Sequence, residues 1–321
     1  MEVEQNSMSF PMERSSKILR RSIHSFIKNH HCTKTSVLLA FPFSAALLLS
    51  QYWILSSPLF ITIHNHLSFL FGAAGFPPSS QLFFILNLKT SQTITSSIIL
   101  LPFTLSFLLI SKASLIHDRH EQEPSFSSFL SIYNSILLTQ ICNTFLILSA
   151  SATCFSLFFA AFNCLEASGY SSASSLLFLS TTGAILYSII LGNSFVVCNL
   201  ALVTAGMDKS GGFSAILKAF VLIRGRTVTA LSLAIPVNVA LALLEGLFQY
   251  QVVRVRPFYT SSSAAFEGLV IAWMYSTIVV IDTIVNYKFC KSCKKGFRKD
   301  EEGGHAHADY ANFESKVVLH P

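Results

Sequence analysis

The sequence predicts an all-α, polytopic membrane helix bundle with six transmembrane helices and additional amphipathic helices on the cytosolic surface. Hydrophobic residues make up 52% of the 321 residues, and charged residues make up only 12%. Soluble domains carry about 25% charged residues, so a soluble fold of this size is disfavoured. The apolar residues also fall in runs of about 20 or more, the length that a membrane-spanning helix requires.

Six apolar runs are long enough to cross a bilayer as helices. They cover residues 36–63, 93–116, 134–163, 174–206, 228–248 and 266–287. Pro42, Pro102 and Pro236 lie inside these runs, as membrane helices tolerate. The third and fourth runs exceed a straight crossing, so we expect those helices to tilt, kink or protrude, with Gly192-Asn193 as the weak point of the fourth.

Residues 65–92 do not form a clear span. Two short apolar pieces, Leu67–Phe76 and Leu82–Leu88, are separated by Pro77-Pro78-Ser79-Ser80. Neither piece alone can cross a bilayer, and the prolines prevent one continuous helix. An interfacial or re-entrant segment is therefore predicted here.

The distribution of Lys and Arg selects the number of spans and their orientation. With six spans, one side of the membrane holds 19 of the 22 basic residues and the other side holds 3. Because cytoplasmic segments carry the excess of basic residues, both termini are predicted to be cytosolic. A seventh span at 65–92 would place the two basic termini on opposite sides. The pattern fits either an endomembrane or the plasma membrane.

Two stretches on the predicted cytosolic side have the spacing of amphipathic helices. In Ser210–Arg224 the apolar face is opposed by Lys218 and consists of Phe213, Ile216, Leu217, Phe220 and Val221. In Ser16–Asn29 four basic residues oppose Ile18, Leu19, Ile23, Phe26 and Ile27. Both patterns predict helices at the membrane interface. The alternative for Ser210–Arg224 is a helix that packs beneath the bundle.

Three regions follow from these observations. Residues 1–35 form a cytosolic basic segment with an amphipathic helix, and residues 36–287 form the membrane domain. Residues 288–321 are polar and of mixed charge, which predicts a disordered cytosolic tail.

Asp282 is the most informative single residue, because it lies in the last span among aliphatic side chains. A charge inside a span costs at least about 2.5 kcal/mol, so Asp282 should face the bundle or water with a partner. Arg224, Arg226 and Asn286 are the candidate partners. A structural ion pair is favoured over a proton or cation site, since no other acidic residue lies inside a span near that end.

Glu245 is the second intramembrane acidic residue and lies near the opposite end of span five. Arg254 and Arg256 follow it in the sequence. Long side chains near helix ends extend toward the interface, so Glu245 is predicted to pair with one of these arginines rather than to mark a substrate path.

Small residues recur at every fourth position of the fourth span, at Ser180, Ala184, Ser188 and Gly192. Such stripes let membrane helices approach closely. This stripe is predicted to pack against another helix of the same chain, with a dimer face as the alternative.

The segment after the sixth span combines cysteines with basic residues. Cys290 and Cys293 are candidate palmitoylation sites, because juxtamembrane cysteines among lysines are typical of that modification. The basic residues predicted to face anionic lipid are Lys288, Lys291, Lys294, Lys295, Arg298 and Lys299. A Cys pair followed by His305 and His307 lacks the usual spacing of zinc ligands, so no metal and no cofactor is predicted.

Three stretches resemble an uncharacterised family of plant multi-pass membrane proteins. They are Gly75-Phe76-Pro77-Pro78-Ser79-Ser80, the Leu101-Pro102 span ending in Ser111-Lys112-Ala113-Ser114, and the passage from Asn199 to Arg226. Some members carry a name that implies association with a polyadenylate-binding protein. The resemblance therefore implies a possible protein partner at the cytosolic tails. Direct nucleic-acid binding is not expected, because the basic residues that give the net charge of +6 flank the apolar runs.

The loop before span five also resembles, more remotely, the membrane domain attached to some bacterial glycerophosphodiester phosphodiesterases. The matching residues are Gly211-Gly212, Ala215, Lys218 and Arg224-Gly225. The catalytic domain that accompanies those membrane regions has no counterpart here. The resemblance implies a shared architecture and a setting close to lipid.

The sequence contains no Gly-rich phosphate loop, no His-Glu-x-x-His motif and no nucleophile elbow, so an enzyme is not expected. The first functional hypothesis is a non-enzymatic endomembrane protein that organises lipid or protein partners. The alternative is a transporter or channel for a small solute or ion, which rests on Asp282 and on Asn143, Asn193, Asn199 and Asn238.

Overall fold

The computed structural model describes residues 2–28, 30–73, 81–120, 126–168, 173–254 and 262–301. Every regular element in these ranges is helical, which confirms the all-α fold class. The helices are α1 (Glu2–Lys28), α2 (His30–Trp53), α3 (Pro58–Ala73), α4 (Gln81–Phe103), α5 (Leu109–His120), α6 (Phe126–Ala167), α7 (Ala173–Asp208), α8 (Phe213–Ile223), α9 (Thr227–Phe248) and α10 (Ser262–Glu301).

Six stretches of helix are long and apolar enough to cross a membrane. They are Thr33–Gln51, Phe84–Arg119, Phe126–Leu165, Thr181–Asp208, Thr227–Gln251 and Phe266–Lys295. The second passes from α4 to α5 through a π-helical turn, Thr104–Leu108, that follows Pro102, whose ring nitrogen cannot donate a helical hydrogen bond. The protein is therefore a multi-pass membrane protein, as the sequence predicted.

The first predicted span, 36–63, is two helices rather than one. α2 ends at Trp53, a 3-10 turn covers Ile54–Ser56, and α3 begins at Pro58. Pro58 has no N–H to continue the preceding helix. The Ser57 hydroxyl oxygen accepts a hydrogen bond from the Phe60 N–H at 3.1 Å, as an N-cap does. Ser57 and Pro58 thus end one helix and start the next.

Leu82–Leu88, which we predicted to belong to an interfacial or re-entrant segment, instead opens the second span. α4 begins at Gln81 and continues through the polar residues 89–92 without a break. The Ser91 and Thr95 hydroxyls donate hydrogen bonds to the backbone carbonyls of Asn87 and Ser91, each at 2.7 Å. Because these hydroxyls bond back along the helix, they do not end it. The Pro77-Pro78 pair lies outside the described residues.

The end of the chain also differs from its prediction, because α10 continues to Glu301 where we expected disorder from residue 288. Phe289, Cys290 and Cys293 are buried at helical spacing, so the segment has a packed face. Residues 302–321 lie outside the described residues. α7 likewise continues through Gly192 and Asn193, where we expected a weak point.

The chain forms two compact units. Unit 1 comprises Met1–Lys28, Leu115–Pro236 and Asp282–Pro321, and unit 2 comprises Asn29–Ser114 and Val237–Ile281. In unit 1, α6 packs against α7 and α7 packs against α8. In unit 2, α4 packs against α2 and α3, and a buried apolar cluster consists of Leu48, Leu244, Phe248, Ile271, Ala272 and Tyr275.

Candidate functional site

Two glycines at the start of α8 set its position in unit 1. A Cβ atom on Gly211 would lie 2.7 Å from the Ser135 carbonyl oxygen, so only glycine lets the chain pass this close to the α6 backbone. Gly212 has a φ of +79°, and its N–H donates a hydrogen bond to the Thr139 hydroxyl at 3.0 Å. These contacts turn the chain sharply after α7 and fix the start of α8 on α6.

α8 has one packed face and one exposed apolar face. The packed face consists of Ala215, Ile216, Ala219, Leu222 and Ile223. The opposite face carries Phe213, Leu217 and Phe220, whose exposed fractions are 62%, 46% and 63%. The sequence offered a surface helix and a packed helix as alternatives, and α8 combines the two arrangements.

Asp208, the last residue of α7, joins three helices of unit 1. Its carboxylate forms an ion pair with Lys294 of α10. The Lys218 ammonium of α8 lies 4.0 Å from the other carboxylate oxygen. The three side chains are half-buried, so solvent screens their attraction less than it would at an open surface. Asp208 therefore holds α8 and the end of α10 to α7.

The two candidate palmitoylation sites are buried. Cys290 shares a hydrogen bond with the Thr204 hydroxyl at 3.6 Å, and Cys293 accepts one from Arg226. Their exposed fractions are 0% and 1%. An acyltransferase needs an accessible thiol, so the structure argues against palmitoylation of either cysteine in the folded protein. The sequence pattern shows the lysines near these cysteines but not which face of the helix is packed.

The basic residues predicted to face lipid divide into two groups. Lys288 and Lys294 are half-buried, and they bond to the Arg21 carbonyl oxygen and to Asp208 respectively. Lys291 and Lys295 are exposed, and the Lys291 ammonium lies 6.0 Å from the centre of the Tyr287 ring. The side chains of Arg298 and Lys299 lie outside the described residues. The first pair therefore has a structural role, and the second pair faces outward.

The N-terminal helix α1 lies at the same end of unit 1 as these residues. Arg119 donates a hydrogen bond to the Ser25 hydroxyl at 3.1 Å, and Tyr287 donates one to the Arg119 carbonyl at 3.1 Å. On its outer side α1 exposes Arg20, Arg21, Ile23 and Ile27. The helix predicted at Ser16–Asn29 is thus part of a longer helix that contacts α5 and α10.

We name the exposed basic and apolar residues at this end of unit 1 the basic end. It comprises Arg20, Arg21, Ile23, Ile27, Phe213, Leu217, Phe220, Arg224, Lys291 and Lys295. Apolar side chains beside cationic ones suit the boundary between lipid headgroups and acyl chains.

Asp282 has an amide partner on its own helix. The Asn286 side chain donates a hydrogen bond to the Asp282 carboxylate at 3.1 Å. Of the two arginines proposed as partners, Arg226 bonds to Cys293, and Arg224 is exposed. Asn286 is therefore one partner of Asp282, and the ion pair with Arg224 or Arg226 stays a prediction.

Three of the four residues of the small-residue stripe of α7 are described, and they are not closely packed. Ala184 and Ser188 are exposed, and a Cβ atom on Gly192 would meet nothing within 4 Å. The side chain of Ser180 is not described. Close packing occurs instead at Gly183, where a Cβ atom would lie 2.8 Å from the Phe158 ring. The described stripe residues thus give no support to the predicted contact within the chain. Because α7 is apolar on all sides, its sequence pattern does not identify the packed face.

Glu245 lines a cavity of about 490 Å³ in unit 2. The wall comes from α2, α4, α9 and the turns after α2 and α9, and its polar side chains include Gln51, Gln92, Ser96, Ser97 and Gln249. Tyr275 of α10 donates a hydrogen bond to Glu245 Oε1 at 3.0 Å. Gln249 donates one to the Gln51 side-chain oxygen at 2.7 Å. Of the arginines predicted to pair with Glu245, Arg256 and the side chain of Arg254 lie outside the described residues.

The intramembrane asparagines do not line this cavity. Asn143 is buried and donates a hydrogen bond to the Cys198 carbonyl at 3.0 Å, which joins α6 to α7. Asn193 is exposed. Asp282, Asn143, Asn193, Asn199 and Asn238 are not among the residues that line the Glu245 cavity.

Reasoning from the sequence missed Asp208, Arg119 and the polar side of the cavity. Asp208 follows an apolar run and precedes a glycine turn, so its position resembles that of any solvated loop residue. Gln92, Ser96 and Ser97 lie on α4 within a Ser- and Thr-rich stretch, which could have signalled a polar face. Neither the sequence around Asp208 nor the Ser- and Thr-rich stretch of α4 shows which distant helix these residues contact.

Comparison with known proteins gives a family but no activity. No curated protein and no solved structure matches the chain. One family model, described as a domain of unknown function (DUF8558), matches residues 1–300. That match covers nearly the whole chain, including both units and the basic end. The protein belongs to the DUF8558 family of domains of unknown function.

Proposed function

We propose that this protein is a non-enzymatic membrane organiser that gathers anionic lipid around its basic end. The observation that carries the proposal is the exposed apolar face of α8, at Phe213, Leu217 and Phe220. α8 has 11 residues, so it is too short to cross a bilayer. A short helix with one packed face and one exposed apolar face suits insertion at the interface.

The exposed basic residues beside α8 supply the preference for anionic lipid. Arg224 ends α8, and Arg20, Arg21, Lys291 and Lys295 are exposed on α1 and α10. Each basic residue near an anionic surface contributes about 1 kcal/mol, and the effect falls off within a Debye length. Several such residues on one surface would enrich anionic lipid severalfold over a zwitterionic lipid.

The proposal includes the orientation in which both termini lie on the cytosolic side. It is supported by the segregation of 19 of the 22 basic residues to one side of the predicted topology. Anionic lipids of cellular membranes are concentrated in the cytoplasmic leaflet, so the basic end would meet its proposed ligand there. A protein partner at the tails, implied by the family resemblance, would bind next to this lipid.

A lipid-demixing assay with the full chain tests this proposal. The protein is reconstituted into phosphatidylcholine vesicles that contain a minority of self-quenching fluorescent phosphatidylserine. We expect the protein to increase quenching of the phosphatidylserine probe, and added salt to reverse the effect. A phosphatidylcholine probe should not respond.

Variants connect the assay to the basic end. The test variant carries Gln at five exposed basic positions, namely Arg20, Arg21, Arg224, Lys291 and Lys295. We expect this variant not to increase the quenching of the phosphatidylserine probe. Lys89→Gln removes an exposed lysine of unit 2, and it should increase the quenching as the wild type does. Equal quenching by the wild type and the five-residue variant would refute the proposal. Equal quenching of the two lipid probes would also refute it.

Transport of a small solute remains the second candidate function. The specific observation that favours it is the polar cavity at Glu245 in unit 2. Asp282 and Asn143, on which the sequence-based hypothesis rested, do not line that cavity. The ion or solute would therefore be recognised by Glu245 rather than by Asp282.

A further inference from the structure

Glu245 is the charged residue on the wall of the unit 2 cavity, and no Lys or Arg is among the described residues that line it. It lies within a candidate membrane span, Thr227–Gln251. An ionisable residue inside a span is costly to bury and is by default a candidate functional site. The carboxylate therefore gives the cavity a negative potential that no described lining residue offsets.

The carboxylate is held in place but remains available to a ligand. Tyr275 is buried in the apolar cluster of unit 2, and it donates its hydroxyl hydrogen to Glu245 Oε1 at 3.0 Å. That is the hydrogen bond that Glu245 makes to the described part of the chain. Tyr275 thus fixes the direction of the carboxylate, and the other oxygen can accept a hydrogen bond from a molecule in the cavity.

The remaining polar wall offers neutral hydrogen-bonding groups. Gln51 and Gln249 are bonded to each other, whereas Gln92 and Ser96 make no side-chain hydrogen bond to other described residues. Amide and hydroxyl groups can both donate and accept hydrogen bonds. A ligand with polar groups beside its charge would therefore find partners on α4 as well as on α9.

The size and charge of the cavity select the class of ligand. A cavity of about 490 Å³ falls in the range of small-molecule sites and is far larger than a metal ion. Ca²⁺ takes six to eight oxygen ligands, usually including more than one carboxylate. One carboxylate neutralises one positive charge. We propose that this cavity binds a small primary-ammonium compound, with Glu245 as its counter-ion.

Two sources could supply this chemistry, namely a free amine or the ammonium headgroup of phosphatidylethanolamine. The experiment uses the full chain in phosphatidylcholine nanodiscs and follows its thermal unfolding temperature. Ethanolamine hydrochloride is the free probe, choline chloride is the probe that lacks N–H donors, and sodium chloride controls for ionic strength. We expect ethanolamine to raise the unfolding temperature in a saturable manner, and the two controls not to do so.

Two variants assign the response to the cavity. Glu245→Gln removes the counter-ion, and we expect ethanolamine to bind at least about tenfold more weakly. Gly246→Leu keeps the carboxylate but fills the cavity, and it should fold because a Cβ atom there meets nothing within 4 Å. Gly72→Leu is the matched control, since its Cβ atom also meets nothing within 4 Å and it does not line the cavity.

A second set of nanodiscs, containing phosphatidylethanolamine, identifies the source. Stabilisation by this lipid in the wild type, lost in Glu245→Gln and Gly246→Leu, would assign the site to the headgroup. Stabilisation by ethanolamine alone would assign it to a free amine. Equal responses to choline or sodium chloride would overturn the proposed ligand class. The absence of any response, or an unchanged response in both variants, would overturn the site itself.

Discussion

Lys294 of α10 forms an ion pair with Asp208 at the end of α7, and Lys218 of α8 approaches the same carboxylate from the other side. This ion pair lies on the same helical segment as the buried residues Phe289, Cys290 and Cys293, and it adds a polar contact to their packing. Asp208 neutralises part of the charge of two lysines and ties both of their helices to unit 1. The exposed lysines of the segment remain available at the basic end.

Replacing Asp208 by Asn should loosen the end of α10. The substitution leaves Lys294 without its carboxylate, and we expect a loss of about 1 kcal/mol for a half-buried pair. Trypsin should then cut more rapidly after Lys294 and Lys295 in the folded protein. Asp118→Asn is the control, because Asp118 is an exposed acidic residue of the same unit. Unchanged cleavage in Asp208→Asn would show that the ion pair does not hold the helix.

The close passage at Gly211 can be tested by adding a single methyl group. In Gly211→Ala the new Cβ atom would lie 2.7 Å from the Ser135 carbonyl oxygen, so the backbone must shift. Overpacking of this kind costs about 1–3 kcal/mol, and we expect a lower unfolding temperature in detergent. Gly192→Ala should be neutral or stabilising, because its Cβ atom meets nothing within 4 Å and Ala favours a helix.

Burial of Cys290 and Cys293 predicts that neither thiol reacts with maleimide in the native membrane. A permeant maleimide should label them only after denaturation. Ser292→Cys provides the matched control, since Ser292 is exposed between them on the same helix. Rapid labelling of Cys293 in the native protein would contradict the packing of α10 and would reopen palmitoylation as a modification.

Asp282→Asn should reduce stability modestly and leave the proposed lipid-gathering activity intact. Asn at this position can still bond to Asn286, so we expect a loss of about 1 kcal/mol or less. The variant is compared with the wild type by accumulation in membranes and by the demixing assay. Normal accumulation with complete loss of demixing would assign Asp282 a functional role that the proposal does not include.

The proposed orientation has a direct test with protease. In sealed vesicles with the cytosolic face outward, added protease should remove segments from both termini, because both are placed on the outer face. A lumenal marker protein shows that the vesicles are intact. Protection of one terminus alone would require an odd number of spans and would contradict the six-span topology. Protection of both would contradict the proposed orientation.

The apolar helices long enough to cross a membrane were predictable from the sequence, because length and composition identify them. The apolar helices Phe126–Leu165, Thr181–Asp208, Thr227–Gln251 and Phe266–Lys295 each overlap the predicted span, and their limits differ from the predicted ones by up to eight residues. A bilayer requires long apolar helices whatever their packing. Span one was predicted too long because Ser57-Pro58 is a local cap signal inside an apolar run. The end of α10 packs through Phe289, Cys290 and Cys293 and pairs with Asp208, and these contacts join residues that are distant in sequence.

The two candidate sites were less accessible to prediction. The amphipathic pattern of α8 was visible in the sequence, but its division into packed and exposed faces depends on the glycine turns that seat it on α6. The Glu245 cavity collects residues from α2, α4 and α9, far apart in the chain. In an apolar helix the surface facing lipid and the surface facing protein have similar composition, so sequence alone does not separate them.

Selective contact with anionic lipid is the central claim, and electron paramagnetic resonance of spin-labelled lipids measures it directly. The full chain is reconstituted into phosphatidylcholine vesicles with spin-labelled phosphatidylserine or spin-labelled phosphatidylcholine. We expect the motionally restricted fraction to be larger for phosphatidylserine than for phosphatidylcholine. Salt should reduce this difference, and so should Gln at Arg20, Arg21, Arg224, Lys291 and Lys295. Equal restricted fractions for the two lipids, unaffected by salt, would contradict the proposal that the basic end gathers anionic lipid.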